Sequence, residues 1–256
     1  MNTDKPLLIK RLWVVSFSLM LVLLIAMFLG LSLGSSQSGM KAVFQNLFGI
    51  EPHDPMLDTI IWKIRFPRIL LAALVGGTLS LGGLVFQALL KNPLAEPYIL
   101  GISGGSAIGA IIGILMGFTR FPGVSLTAFS GSIATLLLIL VMSSGQTILK
   151  KDALLLSGVM VNAFCGAVIM FLVSLTQDAR LHNIIFWLMG DLSMVDLPQV
   201  GILAALLLPC FFLLFWFSNS MNLLLMGIEM AQTMGGIVQA VTVIWLVATS
   251  FMVGAT

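Results

Sequence analysis

Charged side chains are scarce in this chain: ten Asp and Glu and twelve Lys and Arg among 256 residues, 9% of the total. A water-soluble domain carries about 25%, so this chain cannot cover a surface facing water, and an ordinary soluble enzyme or binding module is excluded. The net charge of +2 is too small to imply nucleic acid as a partner. Cysteine is rarer still. Cys165 and Cys210 both lie inside apolar segments, where a structural disulfide is not expected and no companion residues complete a metal site; both read as packing residues. His53 and His182 are the only histidines, and each sits in a charged connection. No G-x-x-x-x-G-K-[ST] loop occurs, so ATP is not hydrolysed here by that route.

What the chain has in quantity is apolar length, with 59% hydrophobic residues. Seven stretches approach the ~20 residues that cross about 30 Å of hydrocarbon as helix. They are Leu12–Gly34, Ile69–Leu90, Tyr98–Phe118, Gly123–Met142, Ala153–Thr176, Val200–Phe217 and Ile237–Thr256. The runs are continuously apolar rather than alternating, which selects helices over a barrel. The expected fold is an all-α polytopic membrane bundle, with residues 1–256 forming one transmembrane domain. The first stretch is too long for a secretory signal core and lacks an A-x-A-like site, so it reads as an uncleaved span. Basic residues split evenly between the two sides; Lys5, Lys10 and Arg11 before the first span favour a cytoplasmic N-terminus.

None of the seven stretches contains Asp, Glu, Lys, Arg or His. Ion-coupled carriers and pumps place ionisable groups within their spans because a proton or ion relay needs them. Uphill transport by this chain therefore draws its energy from outside the chain. Gln87 and Asn162 are the notable polar residues in the spans, each able to bond a neighbouring helix. Gly101, Gly105, Gly109, Gly113 and Gly117 recur every fourth residue and form a slowly winding stripe, with Gly76 and Gly77 a looser counterpart on the preceding span. Such notches let helix backbones approach closely, and helix packing is the first reading, pathway lining the second.

Between Gln177 and Gln199 the patch Ile184–Met189, with Trp187, is too short to span and reads as an interfacial or re-entrant helix. In Lys91–Pro97, the pairs Asn92-Pro93 and Glu96-Pro97 disfavour continuous helix and mark a shaped turn between two spans. Gly101-Ile102-Ser103-Gly104 matches the G-x-S-G pattern around the serine of rhomboid intramembrane proteases. That alternative needs a histidine beside Ser103 on a membrane helix, and neither His53 nor His182 lies in an apolar span.

A longer ordered pattern carries more weight. Arg65-Phe66-Pro67-Arg68 leads into Leu70–Gly77, Gly82-Gly83 and Gln87, then Lys91-Asn92-Pro93-Leu94-Ala95-Glu96-Pro97 and Leu100–Gly105. Weaker matches follow at Leu156-Ser157-Gly158, Trp187–Leu192 and Asn222-Leu223-Leu224 with Gly227 and Glu229. In these residues the chain resembles the FecCD family, permeases of bacterial ABC importers for iron–siderophore complexes, haem and vitamin B12. The resemblance implies a ten-helix, multi-pass subunit of the bacterial cytoplasmic membrane that is not itself an enzyme. It would pair with a second copy or a homologous permease, with a cytoplasmic ATPase beneath and an extracytoplasmic substrate-binding protein above. ATP and Mg would sit on the ATPase, and no cofactor or metal on this chain.

The same resemblance implies that Arg65 and Arg68 dock the binding protein, whose carboxylates suit the guanidinium fork. It implies that Gly227, Ile228, Glu229, Met230, Met234 and Gly235 belong to a loop coupled to the ATPase. Family members continue for about three more spans, so the chain reads as lacking the family's C-terminal part. An iron(III)–siderophore is the first expected cargo, with vitamin B12 and haem as alternatives.

Overall fold

The computed structural model describes residues 5–33, 55–118, 122–144, 151–193, 195–226 and 238–256. Every regular element among them is helical. In chain order these are α1 (Lys5–Ser32), α2 (Pro55–Thr59), a π-helical segment (Ile60–Arg65), α3 (Phe66–Leu90), α4 (Ile102–Leu115) and α5 (Gly123–Ser144). There follow α6 (Lys151–Ser174), α7 (Asp178–Met189), α8 (Leu197–Trp216), α9 (Ser218–Met226) and α10 (Val238–Ala255).

Among the described residues, five helices are long and apolar enough to cross a membrane: Ile9–Ser32, Pro55–Leu90, Gly123–Met142, Leu154–Ser174 and Leu197–Trp216. The other two expected spans correspond to shorter apolar helices, Ile102–Leu115 and Val241–Ala255. The expected span Tyr98–Phe118 is the one most shortened. Its 14-residue helix extends about 21 Å at 1.5 Å per residue, less than the hydrocarbon thickness. Tyr98 and Ile99 are used in turns, and Gly101 at φ +71° stands as N-cap in the left-handed region. At the other end Gly117, at φ +96°, closes the helix: its N–H returns to the Ile114 carbonyl and that of Phe118 to Gly113. This paired reversal needs a residue that tolerates positive φ.

The second expected span is instead longer than its apolar run. Helix begins at Pro55, so Arg65 and Arg68 lie within a continuous helical run and not in a connection ahead of it. The π segment explains how Pro67 is tolerated. Proline has no N–H to return and crowds the carbonyl four residues earlier; the wider π turn ends two residues before it, with the Phe66 N–H bonding Ile61.

The described chain forms two compact units, residues 1–73 with 192–200, and residues 74–191 with 201–256. In the first, α1 meets the π segment and the start of α3. A Cβ on Gly30 would come 3.1 Å from Ile69. Most of α1 is apolar and exposed on every side, as a helix facing lipid is.

In the second unit, α4 is the central element, packed against α5, α6, α7 and α10. One core gathers Val85, Phe86, Leu100, Ile102, Ile139, Leu207, Leu246 and Met252. A smaller one joins Ala110, Ile111 and Ile114 of α4 to Val124 and Ala128 of α5 and Ile184 of α7. Ile184 thus explains the short apolar patch around Trp187: it forms a 12-residue helix, α7, held down by this cluster.

Candidate translocation helices and docking elements

The stripe on α4 divides between two neighbours. A Cβ at Gly105 would stand 2.7 Å from the Gly131 carbonyl oxygen and overlap Thr135; one at Gly109 would overlap Thr127 and stand 3.2 Å from the Ala128 Cα. Gly113 meets Thr127 as well. Across the gap, Gly131 of α5 faces Gly105 and Gly109 in return. The α4 and α5 backbones are therefore in direct contact, and the hydroxyls between them are already committed within α5. Thr135 donates to the Gly131 carbonyl at 3.0 Å and Thr127 to Val124 at 2.9 Å. Such pairs keep a polar group satisfied where no water reaches.

Gly101 and Gly104 face α6. A Cβ on Gly101 would stand 3.0 Å from the Asn162 backbone nitrogen, and one on Gly104 2.7 Å from the Cys165 Cβ. Asn162 is exposed beside this junction. Gly76 and Gly77 of α3 behave differently: both are exposed, with nothing within 4 Å of an added Cβ, and Gln87 on the same helix is also exposed.

The link from α3 to α4 is built from local hydrogen bonds. Lys91 takes φ +47°, its N–H bonds Ala88, and the Asn92 N–H reaches Gln87, which closes α3 with a reversed final turn. The Asn92 side chain accepts from the Leu94 N–H at 3.0 Å, and Ala95 N–H bonds the Asn92 carbonyl. Pro93 and Glu96 are exposed, whereas Pro97 is half-buried with its ring under Gly82 and Gly83 of α3. Glu96 takes the Ile99 N–H on its backbone carbonyl.

Two arginines cap helices whose own last turns carry no basic residue. Arg65, half-buried, donates from Nη1 to the Leu31 carbonyl at 2.6 Å, at the C-terminal end of α1. Arg180 of α7 donates from Nη1 to Leu115, the last residue of α4. A cation on the final carbonyls answers both the orphan acceptors and the negative end of the helix dipole. Arg68 is exposed. The Arg180 contact is not legible in the sequence; the only signal is an arginine at the polar start of a short segment that also carries Asp178, His182 and Asn183.

Gly227, Ile228, Glu229, Met230, Met234 and Gly235 lie outside the described residues. Ser103 is the second residue of α4, while His182 is exposed on α7 with its ring tilted against Phe186, centroids 4.4 Å apart; no hydrogen bond joins Ser103 and His182. Among the described residues no three His, Cys, Asp or Glu side chains gather to hold a metal ion.

Residues 22–256 of the sequence match the FecCD transport family. The chain belongs to the FecCD transport family. It is 36% identical over 255 residues to an uncharacterised ABC transporter permease protein, YvrB, of Bacillus subtilis, covering 95% of this chain and 71% of that one. It is 34% identical over 245 residues to the hemin transport system permease protein HmuU of Yersinia pestis, covering 93% and 72%. The vitamin B12 import system permease protein BtuC of Salmonella arizonae is 34% identical over 201 residues, 78% of this chain and 60% of that protein. A metal-chelate type ABC transporter solved in an inward-facing conformation superposes with a TM-score of 0.80 at 27% identity, covering 93% of this chain and 73% of the solved one. This FecCD chain is thus a multi-pass helical membrane protein that spans between 60% and 72% of the curated relatives named here.

Proposed function

We propose that the chain is the membrane-spanning permease part of an ABC importer in the bacterial cytoplasmic membrane, passing a metal chelate inward. The observation that carries this reading is the absence of ionisable residues from α4, α5, α8 and α10, joined to FecCD membership. A proton relay needs titratable groups within the spans and these helices hold none, which supports ATP hydrolysed by a partner subunit as the source of the work. The chain itself makes and breaks no bonds and holds no cofactor; Mg and ATP belong to the partner.

An iron(III)–siderophore is the proposed cargo. Relatives named for vitamin B12 and hemin, and a structural neighbour of metal-chelate type, support a bulky chelate as the class. The test is uptake into proteoliposomes that hold the chain with its ATPase and binding protein, offered radiolabelled ferric siderophore, haem or cobalamin. ATP-dependent uptake of the siderophore is expected. Uptake that persists without the ATPase and collapses with an ion gradient would overturn the reading, and ATP-driven uptake of haem or cobalamin alone would reassign the cargo.

Docking of the extracytoplasmic binding protein is proposed for the Arg65–Arg68 turn, with the lipid bilayer around it and a second permease copy or homologue alongside. Arg68 is the better placed, since Arg65 already holds the end of α1. Arg68→Glu is expected to weaken binding-protein affinity about tenfold at low ionic strength, and less as salt screens the contact. Titration of the binding protein onto chain-bearing nanodiscs at two salt concentrations measures it; a salt-independent, unchanged affinity removes Arg68 from the interface. The coupling role is proposed for the segment holding Gly227, Ile228, Glu229, Met230, Met234 and Gly235, whose methionines at four-residue spacing suit an irregular cleft on an ATPase.

A further inference from the structure

A hydroxyl buried among apolar helices has no water to turn to, and most buried serines and threonines of the second unit bond their own helix. Thr78 donates to the Leu74 carbonyl, Ser132 to Phe129, Thr135 to Gly131 and Ser157 to Leu154, at 2.7–3.1 Å. Two adjacent residues of α10 depart from this habit. Thr249 is 0% and Ser250 2% exposed, and neither hydroxyl has a hydrogen-bond partner. One turn earlier the indole Nε1 of Trp245, also buried, is without a partner as well. We infer that α10 has a second setting against α3 and α5, in which Thr249 and Ser250 are hydrogen-bonded, and that the bundle exchanges between the two.

Other partners for the two hydroxyls are excluded by their enclosure. A void roomy enough for water would leave the oxygens exposed to it, and they are not. An acceptor arriving from a neighbouring molecule meets the same obstacle, because the side chains around Thr249 and Ser250 already close over them. That leaves the carbonyls one turn back on α10 itself, which serine and threonine reach by choice of χ1 alone. At both positions the side chain is held away from that rotamer.

The neighbours that hold it are on two sides. Toward α3, the Thr249 Cγ2 lies 3.6 Å and a Val253 methyl 3.1 Å from where a Cβ would stand on Gly82. Toward α5, Phe251 meets the Phe129 ring edge-on at 5.3 Å, and a Cβ on Gly254 would overlap Ser132. Freeing the hydroxyls therefore means moving α10 relative to both helices. Three unpartnered polar groups within six residues place the misfit on the helix and not on one side chain. Leaving them unpaired is costly, so a setting that pairs them competes with this one. Packed helices pass between such settings in discrete steps, and a carrier that opens to two sides needs an element with two positions. The inference rests on neither the cargo nor the ATPase.

The test is fluorine NMR of the chain in nanodiscs, labelled with 5-fluorotryptophan, with Trp245→Phe identifying the Trp245 signal. Two Trp245 lines are expected, one for each setting. Oxidising a Gly82→Cys, Val253→Cys pair to a disulfide pins α10 to α3 as described here and is expected to leave one of the two. Thr249→Val with Ser250→Ala removes both hydroxyls at nearly constant volume, which takes away the reason to leave that setting. The double variant is expected to raise the ratio of the pinned line to the other at least fivefold, and Ser250→Ala alone to shift it less in the same direction. Thr78→Val, whose hydroxyl already bonds Leu74, is expected to leave the ratio unchanged. A single Trp245 line in the unmodified chain would overturn the inference. So would a ratio that neither α10 variant moves, the outcome expected if the hydroxyls flip without the helix. None of these readouts depends on transport, so they stand apart from the cargo assay.

Discussion

Replacing Gly109 by valine is expected to separate α4 from α5 and to leave little of the chain recoverable as folded, monodisperse protein in detergent. The site offers no room even for a methyl group. A Cβ there would overlap the Thr127 backbone and stand 3.2 Å from the Ala128 Cα. Side chains yield to overpacking by changing rotamer, at about 1–3 kcal/mol, but the atoms met here are main chain of a neighbouring helix. Relief requires moving α5 as a body, which also uncovers Gly105 against Gly131. The cost therefore exceeds the upper end of that range, a large share of the roughly 5–15 kcal/mol that holds a domain folded. Gly76→Val supplies the contrast, because an added Cβ at Gly76 meets nothing. Thermal unfolding of the two variants in one detergent measures the difference. Equal midpoints would mean that α4 and α5 do not touch as described.

Gly101→Ala is expected to produce the second largest loss, about 2–3 kcal/mol, from two causes that a companion variant separates. At φ +71° an alanine takes on left-handed strain of about 1–2 kcal/mol. Its methyl would also press on the Asn162 nitrogen at 3.0 Å and Cα at 3.2 Å, both main chain of α6. Gly117 has φ +96° but open space around it, so Gly117→Ala carries the strain alone. The excess of the first variant over the second in unfolding experiments reports the α4–α6 contact. If the two variants lose the same stability, that contact contributes nothing.

Much of the chain's class was legible in residue types. Long apolar runs without ionisable groups can only be membrane helices, because a backbone in hydrocarbon must satisfy its own hydrogen bonds. The Asn92-Pro93 and Glu96-Pro97 pairs marked the break between α3 and α4 because proline restricts the residue before it, and the ordered pattern from Arg65 to Gly105 pointed to FecCD. Helix ends were less legible. The helix carrying Arg65 and Arg68 runs on from Pro55, since a π turn accommodates Pro67, and no local rule requires one there.

Hydropathy and periodicity determined that this protein is a bundle of uncharged, glycine-notched membrane helices, since those properties belong to each segment alone. Only the tertiary structure decided which notches are occupied. Gly105 and Gly109 lie against α5, Gly101 and Gly104 against α6, whereas Gly76 and Gly77 lie open. It decided likewise that Arg65 and Arg180 close the ends of helices distant from them in sequence. The physical reason is that a glycine or an arginine has the same local propensity whichever neighbour it meets. What it meets is set by helices whose positions are fixed by packing within each unit.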